Sequence, residues 1–227
     1  QLSRRVYPEE PPYTHGQVSG HINAFRNGVF VAVYDGEVVG YAASTMVRES
    51  RVMAAHTWSE ITGGGYASQH NGAGDWLYGI EVMVHPERRR LRIGKRLYQA
   101  RERLCIDLDL KGIAFGGRMP GFRRNRKQYP DPEAYLAAVI SGNVKDSTLN
   151  FQMRGGFEPV RALPGYAPED LPSGGHAALM VWRNPYHEAE NAEQPVTRTN
   201  PEVVRVASVQ LSARTLQTPE QFYETVD

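Results

Sequence analysis

The chain of 227 residues has one cysteine, Cys105, and no apolar run long enough to cross a membrane. A single cysteine excludes a disulfide within the chain and is typical of a reducing compartment such as the cytoplasm. A membrane span needs roughly 18 or more apolar residues, so we expect no membrane partner. The chain starts with Gln1 and shows no charged-then-apolar leader pattern. We therefore expect a fragment of a longer cytoplasmic protein.

The chain also lacks a charge excess of either sign. Its 26 basic and 25 acidic residues give a net charge of +1, whereas a dedicated nucleic-acid binder usually carries a marked basic excess. We expect no nucleic-acid partner, although the basic runs Arg88–Arg96 and Arg123–Lys127 keep such a module as an alternative. Neither a Walker loop nor a G-x-G-x-x-G turn is present, and no metal is expected.

The most informative stretch of the sequence runs from Val82 to Tyr98. It starts as a β-branched apolar strand, breaks at Pro86, and passes through a basic loop into a helix at Ile93 or Gly94. Such a junction directs free backbone N–H groups and the positive end of a helix dipole at one place, which suits a phosphate or pyrophosphate. Four basic side chains add attraction for the same anion: Arg89, Arg90, Arg92 and Lys95.

A basic run is often only a solvated surface. Here the strand-to-helix position and the glycine at 94, which allows close backbone approach, favour an anion site.

The hydrophobic pattern predicts a sheet covered by helices. Asp35-Gly36 predicts a type I′ hairpin turn. Residues 1–20 are predicted to be extended or loop, followed by a short helix that closes at 21–25, and residues 48–75 are predicted to be a long loop with room for short elements. Strands are predicted at 29–34, 38–43, 76–84, 112–115, 157–162 and 177–182, and helices at 92–108, 132–140 and 148–154. This order indicates an α+β fold.

Several of these residues resemble a known family. Val-x-Val-x-Pro at 82–86, followed by Arg89-x-x-Arg92-x-Gly94, resembles the acyl-CoA-binding motif of the GNAT N-acetyltransferases. That motif is usually written Arg/Gln-x-x-Gly-x-Gly/Ala, so Arg92 stands where the first glycine is common.

Two further segments carry the same resemblance. Residues 35–40 resemble the family's central hairpin, and 154–157 resemble its helix-to-strand junction, usually written Leu-Gly-Phe. The resemblance covers residues 20–183. It implies a GNAT-like, mostly antiparallel mixed sheet flanked by helices, with the usual first strand and helix missing before Gln1.

The chain also resembles a GNAT subgroup in which the acetyltransferase domain precedes a nitrilase-like carbon–nitrogen hydrolase. Residues 61–68 and 116–121 are similar to stretches of that subgroup. The resemblance implies a GNAT-like domain at 1–183, a linker at 184–200, and the first strand and helix start of a truncated nitrilase-like domain at 201–227.

In that last segment the strand is predicted at 203–211 and the helix at 218–226. The catalytic Glu, Lys and Cys of the hydrolase match no residue here, so we expect no hydrolase activity from this chain. We expect the strand to dock on this domain or to pair two copies as a homodimer.

By resemblance, the expected activity is transfer of an acetyl group from acetyl-CoA, the cosubstrate, directly to a primary amine of a small molecule or peptide. The alternative is a non-catalytic acyl-CoA-binding regulatory domain of a carbon–nitrogen hydrolase. In the expected site, the backbone of Val82, Met83 and Val84 holds the pantetheine beside a β-bulge. The pyrophosphate lies against Arg89, Arg90, Leu91, Arg92, Ile93, Gly94 and Lys95.

Catalytic roles are assigned to two residues of the same strand. Glu81, if partly buried, has a raised pKa suited to a general base, and its alternative role is a structural carboxylate. Tyr78 occupies a position where some relatives carry their base, but a tyrosine is a poor base and would need a water relay. Relatives often place a tyrosine acid where this chain has Gln152, whose amide cannot supply a proton.

Acceptor specificity is expected from the variable loops 56–75 and 118–148. Arg118 and Tyr135 are the candidate substrate residues in these loops. Which amine they select is not readable from the sequence.

Overall fold

The computed structural model describes residues 1–8, 11–187, 204–208 and 213–216. The helices are α1 Leu2–Val6, α2 His15–Phe25, α3 Glu49–Met53, α4 Trp58–Thr62, α5 Ile93–Asp107, α6 Phe122–Asn125, α7 Pro132–Ile140 and α8 Ser147–Arg154. The strands are β1 Val29–Tyr34, β2 Glu37–Val47, β3 Trp76–Val84, β4 Gly112–Arg118, β5 Glu158–Leu163, β6 Ala177–Arg183, β7 Val204–Ser208 and β8 Ala213–Leu216.

The eight strands of the described residues form one mixed sheet in the order β5-β6-β4-β3-β2-β1-β7-β8. Pairing is parallel between β3 and β4 and between β1 and β7, and antiparallel at the other five contacts. The predicted α+β fold, a mostly antiparallel mixed sheet flanked by helices, is therefore confirmed.

The predicted β-hairpin is confirmed. β1 pairs with β2 from Val29 opposite Ala43 to Tyr34 opposite Glu37. Asp35 and Gly36 both have positive φ, 51° and 81°, as a type I′ turn requires.

The prediction that residues 1–20 lack a helix is wrong. α1 covers residues 2–6, and α2 begins at His15 after Thr14, whose side chain forms a capping box with Gln17. Glycines within α2 weaken its helical pattern, but one of them is needed for packing. A Cβ on Gly20 would lie 2.5 Å from the carbonyl oxygen of Tyr66, so glycine lets the helix approach that loop.

Residues 48–75 form a long loop with two short helical elements, in agreement with the prediction. The short helices α3 and α4 lie within this segment. Thr57 begins α4 with a second capping box, in which Glu60 is the partner. Together with α1 and α2, α4 covers one face of the sheet, while α5, α7 and α8 cover the opposite face.

The C-terminal strand β7 extends the sheet beside β1. β7 pairs in parallel with β1, with Ala32 opposite Ala207, and antiparallel with β8. A strand was predicted at 203–211, and its observed core is Val204–Ser208. The C-terminal strand was predicted to dock on this domain or to pair two copies of the chain. Here β7 pairs with β1 of the same chain, so the structure gives no support to the homodimer. The predicted helix at 218–226 and most of the predicted linker at 184–200 lie outside the described residues.

His21 is a buried polar residue of α2 that couples stability to pH. Its Nε2 donates to the carbonyl oxygen of Gly65 (2.7 Å), which leaves Nδ1 to accept from the hydroxyl of Tyr41 (2.6 Å). Burial lowers the pKa of His21 to about 4, against the small opposing effect of the Gly65 hydrogen bond. The folded state therefore holds this imidazole neutral at pH values where the unfolded chain would protonate it.

We expect the free energy of unfolding to fall as pH drops from about 6.5 to about 4, because only the unfolded chain binds the proton in that window. The full contribution of His21 is on the order of 3 kcal/mol. Urea unfolding between pH 4 and 7.5 measures it. His21→Gln should flatten the profile, whereas His15→Gln, at an exposed position of the same helix, should not. Identical profiles for all three proteins would contradict the assignment.

Candidate active site

A cleft opens in the sheet where β3 and β4 separate. The parallel pairing between them runs only from Trp76 opposite Gly112 to Tyr78 opposite Ala114. Beyond that point β3 continues to Val84 beside β2, and β4 continues to Arg118 beside β6. The two strands therefore diverge and leave a V-shaped gap, which widens toward the start of α5.

A β-bulge lies close to the apex of this cleft. On β3, Gly79 is opposite Ser44 and Glu81 is opposite Ala43, so Ile80 is the extra residue. The bulge was predicted near Val82–Val84 and is therefore slightly earlier in the strand. The carbonyl oxygen of Ile80 accepts a hydrogen bond from Trp58 Nε1 (3.2 Å).

The junction between β3 and α5 forms the mouth of the cleft. After a 3-10 turn at Pro86–Arg88, Arg90 and Arg92 adopt φ values of 69° and 61°, in the left-handed region that favours glycine. Arg92 thus takes the conformation for which the family motif usually has glycine. Arg92 precedes the first turn of α5, and no side chain of the described residues caps that turn.

The first turn of α5 consequently has three backbone N–H groups without an intrahelical partner. The hydrogen-bond ladder starts with Arg96 N–H donating to the Arg92 carbonyl (3.0 Å), so the N–H groups of Ile93, Gly94 and Lys95 precede it. They carry the positive end of the dipole of a 15-residue helix. An anion at this point would gain both effects.

The remaining predicted coenzyme residues divide into two groups. Five lie exposed at the mouth: Arg89, Arg90, Leu91, Arg92 and Lys95. Val82 and Val84 pack toward α5, whereas Met83 faces the opposite side of the sheet and Ile93 is buried in the core. Met83 and Ile93 could therefore serve a ligand in the cleft only through their backbone.

Gly94 borders the cleft between β3 and α8. A Cβ built on it would lie 3.6 Å from Phe151 Cζ and 3.8 Å from Val84 Cγ2. Both are ordinary van der Waals distances, so the absence of a side chain keeps the gap between these two residues open.

Glu81 lies on β3 directly after the bulge. One carboxylate oxygen accepts hydrogen bonds from the Tyr7 hydroxyl and from the Val82 N–H, both at 2.9 Å. Burial raises the pKa of Glu81 above its usual value, although the hydrogen bonds from Tyr7, Val82 and Tyr13 oppose that rise. A half-buried carboxylate with a raised pKa can accept a proton from an ammonium ion near neutral pH.

Tyr78 lies three residues earlier on β3 and is fully buried. Its hydroxyl lies 2.9 Å from His56 Nε2 and 2.9 Å from the Tyr166 hydroxyl. Burial, reinforced by Tyr166, raises the pKa of Tyr78 well above its ordinary value. Its hydroxyl therefore stays protonated, so Tyr78 can relay a proton to His56 but cannot act as the base itself.

Gln152 is a buried residue of α8. Its Nε2 donates to the Tyr98 hydroxyl (3.3 Å), while its Oε1 is buried without a hydrogen-bond partner among the described residues. Burial raises the pKa of Tyr98. A phenol is therefore close to position 152, but it belongs to α5 rather than to α8.

The two predicted substrate residues have different surroundings. Arg118 forms a bidentate ion pair with Asp170 (2.7 and 2.6 Å) and lies over the ring of Tyr7. It borders the Glu81 region, but its charge is compensated. Tyr135 is fully buried, and its hydroxyl donates to Asp146 (2.8 Å). The prediction for Tyr135 is therefore wrong, because a core side chain cannot contact an acceptor.

Several residues of this region were missed by sequence reasoning. Tyr7 and Tyr13 belong to the segment that was predicted to be loop, and Tyr166 lies on the β5–β6 connection. The capping box at Thr14 could have revealed α2. The contacts that bring Tyr7 and Tyr166 to β3 span 74 and 88 residues, and no local pattern encodes them.

Among the described residues, no group of three or more His, Cys, Asp or Glu side chains is arranged to hold a metal ion. In the same part of the chain, no helix combines the length and apolar character that a bilayer span requires.

Comparison with known proteins gives a consistent family. The sequence profile of the acetyltransferase (GNAT) family matches residues 2–129. The uncharacterized N-acetyltransferase YkwB of Bacillus subtilis is 29% identical over 182 residues, which cover 80% of each chain. The solved structure of the GNAT-like decarboxylase GphF in complex with isobutyryl-CoA superposes with a TM-score of 0.68 at 19% identity, covering 81% of this chain and 91% of GphF.

A longer relative matches the whole chain. The probable hydrolase YhcX of Bacillus subtilis is 34% identical over 226 residues, which are 100% of this chain but only 44% of YhcX. The chain thus spans less than half of that relative.

Proposed function

The chain belongs to the acetyltransferase (GNAT) family, and from that premise we propose that it transfers an acetyl group from acetyl-CoA directly to a primary amine. The observation that carries the proposal is the uncapped first turn of α5 at the mouth of the β3–β4 cleft. The N–H groups of this turn offer a site for the diphosphate of CoA, and the adjoining cleft offers a channel for the pantetheine arm that carries the thioester.

The residues of the cleft fit CoA in charge and shape. The N–H groups of 93–95 and the exposed basic side chains at 89–95 would hold the diphosphate. The gap beside Gly94, between Val84 and Phe151, would admit the pantetheine arm along β3. When bound, acetyl-CoA supplies an activated acyl group as a thioester.

Proximity accounts for much of the expected rate. Holding an amine against the thioester can lower the barrier by about 7–11 kcal/mol at the limit. Backbone donors at the bulge beside Ile80 would stabilise negative charge on the thioester oxygen. Glu81 would accept the ammonium proton, and the Tyr78–His56 contact offers a second route for a proton toward the surface.

The acceptor remains a primary amine of a small molecule or peptide. Glu81, Tyr7, Tyr13 and the Arg118–Asp170 pair surround the side of β3 from which it would approach. The single cysteine, Cys105, is buried, and burial raises the pKa of its thiol. A buried, protonated thiol is not a nucleophile, which favours direct transfer over a cysteinyl intermediate. A reducing cytoplasm remains part of the proposal.

A second function is favoured by Gln152. Its amide stands where relatives often have a tyrosine acid, and it cannot protonate a departing thiolate. The chain could then be an acyl-CoA-binding regulatory domain of a longer carbon–nitrogen hydrolase, in keeping with its match to 44% of YhcX. The domain division at 183–201 and the absence of hydrolase activity in this chain belong to the same proposal.

Two measurements separate these functions. Acetyl-CoA at 100 times its Kd should raise the melting temperature by about 5–10 °C under either one. Thiol release across a panel of primary amines, followed with a thiol-reactive dye, should occur only for the transferase. Binding without amine-dependent release would favour the regulatory domain. No thermal shift, combined with salt-sensitive DNA binding, would overturn both.

A further inference from the structure

Arg101, in the third turn of α5, is a buried cation with unusual partners. Its side chain is 1% exposed. Its Nη2 donates to the carbonyl oxygen of Ala43 at 2.6 Å and also to that of Glu81. These carbonyls belong to residues that face each other across β2 and β3, directly beside the extra residue Ile80.

The guanidinium lies where β3 and β4 separate. Their pairing ends at Tyr78, and Gly79 is the next residue of β3. A Cβ on Gly79 would lie 3.0 Å from Arg101 Nη1 and 3.2 Å from Phe115 Cβ on β4. The guanidinium therefore fills the apex of the cleft, and glycine at 79 provides the space for it.

The contacts of Arg101 are not those of a structural ion pair. Buried guanidinium groups usually bind a carboxylate, but among the described residues this one donates hydrogen bonds only to backbone carbonyls. It also lies over the Tyr98 ring, 5.9 Å from the centroid, and its Nε has no hydrogen bond in that part of the chain. The Glu81 carboxylate is bound by Tyr7 instead. Burial lowers the pKa of Arg101 to about 10, so the group is still charged at neutral pH.

We infer that Arg101 is a positioning residue that fixes the bulge at Ile80 and so holds Glu81 and the adjoining backbone of β3 in place at the cleft. The inference rests on the proposed acyl transfer for its effect on rate, but not for its effect on the strand. The two carbonyls bound by Nη2 belong to the residue after the bulge and to that residue's partner on β2. Holding both in place fixes the position of Glu81 and the direction of the Glu81–Val82 peptide, whose N–H donates to the Glu81 carboxylate.

The test compares Arg101→Met, which keeps the length but has no donor, with Arg101→Lys, which keeps a charged donor. Misplacing a catalytic group by about 1 Å can cost about 100-fold in rate, so Arg101→Met should lose roughly that factor in kcat while KM for acetyl-CoA changes by less than about 3-fold. Arg101→Lys should recover at least about 10-fold of the loss. Equal kcat values for all three folded proteins would overturn the inference.

A second readout does not depend on activity. In Arg101→Met, amide hydrogen exchange should increase in the peptide covering 79–84 and stay unchanged in the peptide covering β1, residues 29–34. An even increase across the whole sheet, or none at 79–84, would overturn the inference. If the wild-type protein releases no thiol with any amine, the proposed function fails. The role of Arg101 is then tested only by amide hydrogen exchange at 79–84.

Gly79→Ala gives the same test if Arg101→Met fails to fold. The added methyl group displaces the guanidinium by a few tenths of an ångström while keeping its charge. It should increase exchange at 79–84 in the same way, and unchanged exchange there would count against the inference.

Discussion

Replacing Gly94 with tryptophan is expected to weaken acetyl-CoA binding by at least about 100-fold, equivalent to about 2.7 kcal/mol, without unfolding the protein. The indole would extend from the start of α5 into the gap between Val84 and Phe151. That gap is the only approach along β3 that our placement of the pantetheine allows. Overpacking of this kind costs about 1–3 kcal/mol or more when the occupant cannot move aside.

The fold should tolerate the change because the cleft is open to solvent. Phe151 is 41% exposed, and the backbone of Gly94 has no positive φ that would exclude a side chain. Isothermal titration with acetyl-CoA measures the affinity, and far-UV circular dichroism with thermal unfolding verifies the fold.

Two matched variants isolate the effect of size and position. Gly94→Ala adds only a Cβ at ordinary contact distances and should bind within about 3-fold of wild type. Gly72→Trp places the same indole on open surface, where a Cβ would have no neighbour within 4 Å, and should bind normally. Tight binding by a folded Gly94→Trp protein would contradict the placement of CoA in this cleft.

The local elements of the fold were readable from the sequence. β-Branched runs, the Asp35-Gly36 turn and the apolar stripe of α5 predicted the central hairpin and the β3–α5–β4 unit, and the structure contains both. These signals are local, because periodicity and turn chemistry act over a few residues. The anion site at 89–95 was predicted for the same reason, because it follows from a local strand-to-helix junction.

The acceptor side of the site was not readable. α1 has only five residues, too short for a periodic signal, and Tyr7, the residue that follows it, reaches Glu81 only because the helix packs against β3. Tyr135 illustrates the opposite error, since a tyrosine in a polar loop segment suggested a surface role but α7 buries it against Phe122. Residues that meet only through tertiary contacts carry no pattern by which to find them.

Glu81→Gln is expected to lower kcat by about 100-fold or more, within the range of about 10²–10⁴ for general-base catalysis, while the Kd for acetyl-CoA stays the same. The amide has the size of the carboxylate, and its oxygen can still accept from Tyr7 and Val82. Only the capacity to take a proton is lost. Thiol release with an accepted amine gives kcat, and titration calorimetry gives the Kd.

Glu158→Gln is the matched control, because Glu158 is an exposed glutamate on the edge strand β5. It should leave kcat and the Kd unchanged. If Glu81→Gln lost CoA binding or stability to the same extent as activity, the carboxylate would be structural.

The pH profile separates proton transfer from mere positioning. Because burial raises the pKa of Glu81, the acid limb of kcat/KM should fall at a higher pH than for an ordinary carboxylate, and Glu81→Gln should lack that limb. The hydrogen bond from Tyr7 lowers the pKa of Glu81, so Tyr7→Phe should shift the limb to still higher pH while keeping the base. A limb that does not move in Tyr7→Phe and persists in Glu81→Gln would assign the proton to another group.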